Sequence, residues 1–131
     1  MRIIKKTIPI TPVSASRPRV ARGRVFYKEA YEEFRNDFDK WLTTQKRDQI
    51  TGMVEVYLEF YIAMPKSFSK KKASELDGEY CDKNLDIDNL EKAVYDKISN
   101  FFIEDDRYIV RNANVKKWSS NPRIEMEIST V

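Results

Sequence analysis

Carboxylates are the side chains in this sequence whose spacing points to chemistry. Asp86 and Asp88 straddle Ile87, Asp96 follows, and Glu104-Asp105-Asp106 forms a third group. Lys92 lies midway between Asp88 and Asp96. Residues four apart share a helix face, so Asp88, Lys92 and Asp96 form one outward stripe if this segment is helical. Leu90, Val94, Ile98 and Phe101 then fall on the opposite, buried side. Mg²⁺ takes hard oxygen ligands, usually one or two carboxylates with waters and phosphate oxygens. Clustered carboxylates without a cation repel, and one of them takes up a proton. An ion bound by such a group can activate water against a phosphodiester. Lys92 is placed to offset charge developing on the phosphate. The non-catalytic reading of the same residues is a capped, solvated helix with salt bridges at four-residue spacing. A calcium-binding loop starting at Asp82 fails, because Ile87 stands where a sharp turn needs Gly and Ala93 where a bidentate Glu is required.

Distance imposes a condition. A helix of about 12 residues is about 18 Å long, so Asp106 can approach Asp86 only if the chain doubles back. The strand after Asp106 must then lie beside the segment carrying Asp86.

Composition narrows the chemistry further. The 131 residues contain no His and one Cys, Cys81. This excludes a Ser-His-Asp triad, histidine acid–base catalysis and His-containing zinc sites. It also excludes an internal disulfide and an all-cysteine zinc site. Cys81 lies in a polar segment and reads as incidental. The length suits one compact domain, residues 1–131, and 41% apolar content suffices for a core. No run of about 18 apolar residues is present and the N-terminus lacks a signal-peptide core, so the expectation is a soluble cytoplasmic protein without a membrane partner.

The formal charge of +3 conceals an asymmetry. Residues 1–28 carry eight basic side chains and no acidic one, whereas the stretch 79–106 is strongly acidic. A basic arm beside an acidic pole suggests a polyanion partner and a metal-holding centre. Arg17, Arg19, Arg22 and Arg24 are the leading candidates for contacts to a phosphate backbone, followed by Lys116 and Lys117. Lys70, Lys71 and Lys72 are secondary candidates and read first as a solvated helix start. Phe26, Tyr27 and Trp118 could stack on exposed bases, although Phe26 reads as core.

The elements that must position these residues follow from hydrophobic periodicity. A first strand is expected over 2–10 and a loop over 11–24. Tyr27, Ala30, Tyr31, Phe34, Phe38, Trp41 and Leu42 repeat at three- and four-residue steps, giving a helix over 28–46. Residues 53–64 alternate strictly and form the clearest strand, with Tyr57 and Tyr61 on its exposed face. A short helix is expected from Ser69 to Leu76. The acidic helix runs from Asp88 to about Asn100, with Asp88 as N-cap and Glu91 three residues on. Strands over 107–117 and 123–130 complete the order β-α-β-(α)-α-β-β, an α+β domain with helices packed on a mixed sheet.

The segment from Asp86 to Ile98, followed by Glu104-Asp105-Asp106 and then Lys116-Lys117-Trp118, resembles the RusA family of Holliday junction resolvases. The shared pattern is D-x-D-N-x-x-K-x-x-x-D, an Asp-Asp pair, and a Lys on the next strand. Arg17-Pro18-Arg19 with Phe26 and Tyr27 is similar to the family's opening. Together the matches span about residues 16–118. The resemblance implies a Mg²⁺-dependent endonuclease, active as a homodimer, that nicks opposed strands of a four-way DNA junction during recombination and repair. By resemblance the catalytic and metal-binding acids fall on Asp86, Asp88 and Asp106, the motif lysine on Lys92, and secondary acids on Asp105 and Asp96. It also makes a bacterial or phage source plausible. The sequence departs from the family at Asn84-Leu85, where Lys-Pro is common, at Asn100, where a helix-closing Gly is common and Asn can take the left-handed position, and at Arg107-Tyr108. The alternative reading is a non-catalytic junction-binding module whose acids are structural.

Overall fold

A computed structural model describes the backbone of residues 1–131 and all side chains except those of Arg19, Val25 and Phe26. The expected DNA contact by Arg19 and the core placement of Phe26 therefore lie outside the described side chains. The chain runs β1 (Ile3–Ile8), β2 (Arg19–Ala21), β3 (Arg24–Phe26), α1 (Glu29–Thr43), β4 (Val54–Ala63), α2 (Lys70–Leu76), α3 (Ile87–Ile98), a 3₁₀ turn (Asp106–Tyr108), β5 (Ile109–Ser119) and β6 (Arg123–Thr130). Four strands form one mixed sheet in the order β1-β6-β4-β5, as an α+β fold requires.

Strict alternation makes β4 the centre of that sheet. Val54, Val56, Leu58, Phe60 and Ile62 are all buried. β4 pairs antiparallel with β6 and parallel with β5. A parallel pair needs a crossover of a dozen or more residues, and this one contains α2 and α3. The crossover lays α3 over one face of the sheet. Tyr31, Phe34 and Phe38 bury the inner face of α1. A file of tilted and T-shaped ring contacts runs from Phe34 to Phe38 at 5.7 Å, on to Trp41 at 5.6 Å, and from α1 to Phe102 at 6.0 Å. Such offset and T-shaped pairs add directional preference to plain burial. Lys97 bridges to Asp39 at 2.6 Å and fastens α3 to α1.

Four expectations are corrected. Residues 11–24 are not all loop, because β2 and β3 form a two-stranded hairpin. Its connection puts Arg22 at φ 51° and Gly23 at φ 74°, the positive pair that a two-residue hairpin turn of type I′ needs. The N-cap of the acidic helix is Asp86, not Asp88. Cys81 is buried, and its N–H donates to Lys116 O at 3.0 Å, so it belongs to the core. Trp118 is buried against Phe68 with ring centroids 5.5 Å apart, which leaves it no face for a nucleobase. Asn100 does adopt the left-handed conformation, at φ 64°, and reverses the chain after α3.

Candidate active site

The acidic face is built on α3. Asp86 stands at the N-cap in extended conformation, and its carboxylate makes no bond to the helix amides. Asp88 lies in the first turn, where a negative charge complements the helix dipole. Asp86, Asp88, Lys92 and Asp96 are all exposed. The opposite face buries Leu90, Ala93, Val94, Tyr95 and Ile98. Burial of Ala93 and Tyr95 makes this apolar face wider than the sequence spacing suggests, and Phe101 is only half-buried. The stripe Asp88-Lys92-Asp96 thus points outward because the remainder of the helix is committed to the core.

The chain doubles back after α3. Alternate residues of β5 climb the helix from its C-terminal half toward its start. Asn112 Nδ2 donates to Tyr95 Oη at 3.2 Å and to Glu91 Oε1 at 2.8 Å. Asn114 Nδ2 donates to Glu91 Oε2. Lys116 Nζ donates to the carbonyls of Lys83 at 3.0 Å and Leu85 at 2.7 Å. The far end of β5 is therefore tied to the turn just before Asp86. The near end, where Asp105 and Asp106 stand, lies by the C-terminal half of α3.

Electrostatics record that placement. The Asp106 carboxyl is raised above its ordinary range by a hydrogen bond with Asp105, by partial burial and by the charges of Asp105 and Asp96, while Lys92 opposes the shift. Asp105 is lowered, first by the Arg107 N–H, which donates to Oδ1 at 3.0 Å, then by its bond with Asp106. Asp106, Asp105, Asp96 and Lys92 thus share one neighbourhood. Among the described residues no three acidic or cysteine side chains converge closely enough to hold a metal ion. Glu104 turns away and accepts from the Gly52 N–H at 2.7 Å.

The donor chemistry nevertheless fits a hard divalent ion. Every candidate ligand is a carboxylate, and Mg²⁺ needs only one or two of these with water and phosphate oxygens for the rest. Asp106 holds a proton more tightly because its neighbours are acidic. A cation replacing that proton relieves the same repulsion.

The basic candidates divide. Arg17, Arg22 and Arg24 are exposed. Lys70, Lys71 and Lys72 form the exposed first turn of α2 behind its N-cap Ser69, which accepts from the Lys72 N–H at 3.1 Å. Lys116 and Lys117 point to opposite sides of the sheet. Lys117 bridges to Glu59 at 3.3 Å on the open face beside Tyr57 and Tyr61.

Two features lay beyond sequence reasoning. One is the clamp of Asn112 and Asn114 on Glu91. Its signal was polar residues at alternate positions of a strand face that packs on a helix. The other is Arg35, whose guanidinium lies 4.9 Å from the Tyr27 ring centroid and 5.6 Å from that of Tyr31. Burial works against its charge, but the Tyr31 bond and the nearby Tyr27 and Asp96 outweigh it. Its spacing from Tyr31 is the four-residue step that stacks side chains on a helix.

Among the described residues no helix is long and apolar enough to cross a membrane. A Bacillus subtilis (strain 168) protein called uncharacterized protein YqaN is 31% identical over 143 aligned positions, covering 100% of this chain and 99% of that protein. Residues 9–129 match the family described as Endodeoxyribonuclease RusA. With an acidic helix face, a returning strand that delivers further carboxylates to it, and a match over nearly its whole length, the chain belongs to the RusA family of endodeoxyribonucleases and is a nuclease.

Proposed function

We propose that the protein is a Mg²⁺-dependent endonuclease that resolves four-way DNA junctions, acting in recombination and repair. The observation that carries this reading is the return of β5 along α3, which leaves Asp106 under the influence of Lys92 and Asp96. Family membership favours catalysis over a purely structural use of the acids.

By the family pattern Asp86, Asp88 and Asp106 are the residues that would hold the ion; Asp86 and Asp88 stand at the start of α3 and Asp106 by its C-terminal half, so the three would have to draw together around it. When bound, it supplies charge neutralisation at the scissile phosphate and lowers the pKa of the attacking water. The chain's own residues do the rest. Lys92 projects its ammonium from the same helix face and meets the negative charge that grows on the phosphate during in-line attack. Asp105 donates no ligand in this reading. It accepts from the Arg107 N–H and so fixes the short 3₁₀ turn that carries Asp106. Asp96, four residues after Lys92 on the same helix face, adds a second negative charge near Asp106. Arg17, Arg22 and Arg24 hold flanking backbone that the acidic face would otherwise repel. Paired cuts across a four-way junction call for two sites related by a two-fold axis, hence a homodimer.

The test is cleavage of a synthetic four-way junction beside a matched linear duplex, with and without Mg²⁺. Paired nicks in the junction alone, strictly dependent on Mg²⁺, are expected. Equal cutting of both substrates overturns junction selectivity, and cutting in EDTA overturns the metal requirement.

A further inference from the structure

Residues 14–17 lie outside any helix or strand and are held at two points. The Ala15 N–H donates to Asn89 O at 3.0 Å, in the first turn of α3. The Lys28 N–H donates to Ser16 Oγ at 3.3 Å, at the start of α1. Between these ties lies a cavity of about 510 Å³ lined by Ser14, Ala15, Ser16, Arg17, Lys28 and Asn89. The lining contains two cations, two hydroxyls and a carboxamide, with no acid. The starts of two helices meet here, since Lys28 is the N-cap of α1 and Asn89 belongs to the first turn of α3. Helix starts carry positive partial charge and unpaired N–H groups, which favours an anion.

Several details point to an occupant outside the chain. Arg17 and Lys28 form no ion pair among the described residues. Ser14 Oγ is buried without a hydrogen-bond partner. Ser16 Oγ accepts from Lys28, so its own proton is available for a further acceptor. A tetrahedral oxyanion can use the guanidinium, the ammonium and the Ser16 hydroxyl together, whereas an apolar ligand uses none of them.

Position identifies the anion. Asn89 directly follows Asp88, and consecutive Cα atoms are about 3.8 Å apart. The cavity therefore borders the N-terminal end of α3, where Asp86 and Asp88 stand. We infer that the cavity under residues 14–17 is a phosphate seat that takes a backbone phosphate of the DNA strand next to the scissile one. The inference rests on the nuclease reading above and adds to it Lys28, Ser16 and Asn89. Its role is to set register: a strand gripped one phosphate away presents a fixed bond to Lys92 and the acids, despite the general repulsion of that face.

The experiment measures binding in EDTA, where no metal-dependent cut occurs, using four-way junctions in which one phosphate at a time is replaced by a neutral methylphosphonate. The cut position is mapped separately with wild-type protein and Mg²⁺. Wild type should lose about tenfold in affinity when a phosphate adjacent to the cut is neutralised. The combined variant Arg17→Ala/Lys28→Ala should bind unmodified junction at least tenfold more weakly and lose its sensitivity at that position only. Its log–log salt slope should fall by about 0.9, the value of one phosphate contact. Arg17→Lys/Lys28→Arg should restore both. Lys40→Ala, which removes an exposed charge about 18 Å along α1 from Lys28, should leave the positional pattern unchanged. Retention of wild-type sensitivity at the adjacent phosphate overturns the inference. So does a uniform loss across all positions, which would make the arm a diffuse field. Failure of wild type to cut with Mg²⁺ removes the junction-cleavage reading and with it the placement beside the scissile phosphate, while the EDTA map, by whether Arg17→Ala/Lys28→Ala loses sensitivity at one position only, still upholds or overturns a single-phosphate seat.

Discussion

The ammonium of Lys116 donates to the carbonyl oxygen of Leu85 at 2.7 Å, fixing the end of β5 to the residue immediately before Asp86. A second bond to Lys83 O at 3.0 Å closes the grip on that turn. A lysine that the motif alone would send toward DNA thus acts on an acid through the backbone. Lys116→Met should raise the Mg²⁺ concentration for half-maximal cleavage several-fold and lower single-turnover cleavage about tenfold or more, with junction affinity in EDTA changed little. Lys116→Arg should recover part of the loss. A fall in binding with unchanged Mg²⁺ dependence would make Lys116 a DNA contact instead.

The acids should not be equivalent. Asp86→Asn, Asp88→Asn and Asp106→Asn should each reduce single-turnover cleavage by about 10² or more, the scale of losing transition-state charge stabilisation. Junction binding should hold or tighten, because each change removes negative charge from a face that meets phosphate. Asp105→Asn should cost less than about tenfold, since its carboxylate braces the turn through Arg107. Rates measured at saturating junction settle the order, and a larger loss at Asp105 than at Asp106 would exchange their roles.

Metal addition should be visible without cleavage. Ligands that bind only the folded state stabilise it by RT ln(1 + [L]/Kd). Mg²⁺ in excess over EDTA should raise the thermal midpoint of wild type, and Asp88→Asn/Asp106→Asn should show no such rise. Equal shifts in both proteins would mean that the ion binds elsewhere.

Stability should depend on the aromatic file of α1 and the amide clamp on α3. Phe38 is fully buried between Phe34 and Trp41. Phe38→Ala should cost about 3–5 kcal/mol, read from the shift in urea midpoint. Glu91→Ala should cost about 1–3 kcal/mol, because it leaves the amides of Asn112 and Asn114 without their carboxylate. Lys97 pairs with an Asp39 side chain that is 59% exposed, so Asp39→Ala should cost no more than about 1 kcal/mol.

What the sequence determined by itself were the elements with long, regular patterns. The alternation of residues 53–64 made β4, and the four-residue stripe Asp88-Lys92-Asp96 set one face of α3 outward, because a period is a property of neighbours along the chain. Asn100 carried its own conformational preference in the same way. The hairpin of β2 and β3 is not legible in the sequence, since three-residue strands are too short to show a period and its turn signal is a lone Arg22-Gly23. Tertiary structure alone decided the partners. Whether Asp88 or Asp86 capped α3 depended on how the preceding turn was held, and that grip comes from Lys116, more than thirty residues away. Bringing Asp106 within the electrostatic reach of Lys92 and Asp96 required β5 to pair parallel with β4 while running back along α3. Pairing of that kind joins distant segments through backbone hydrogen bonds that carry no side-chain identity, so no spacing within the motif could reveal it.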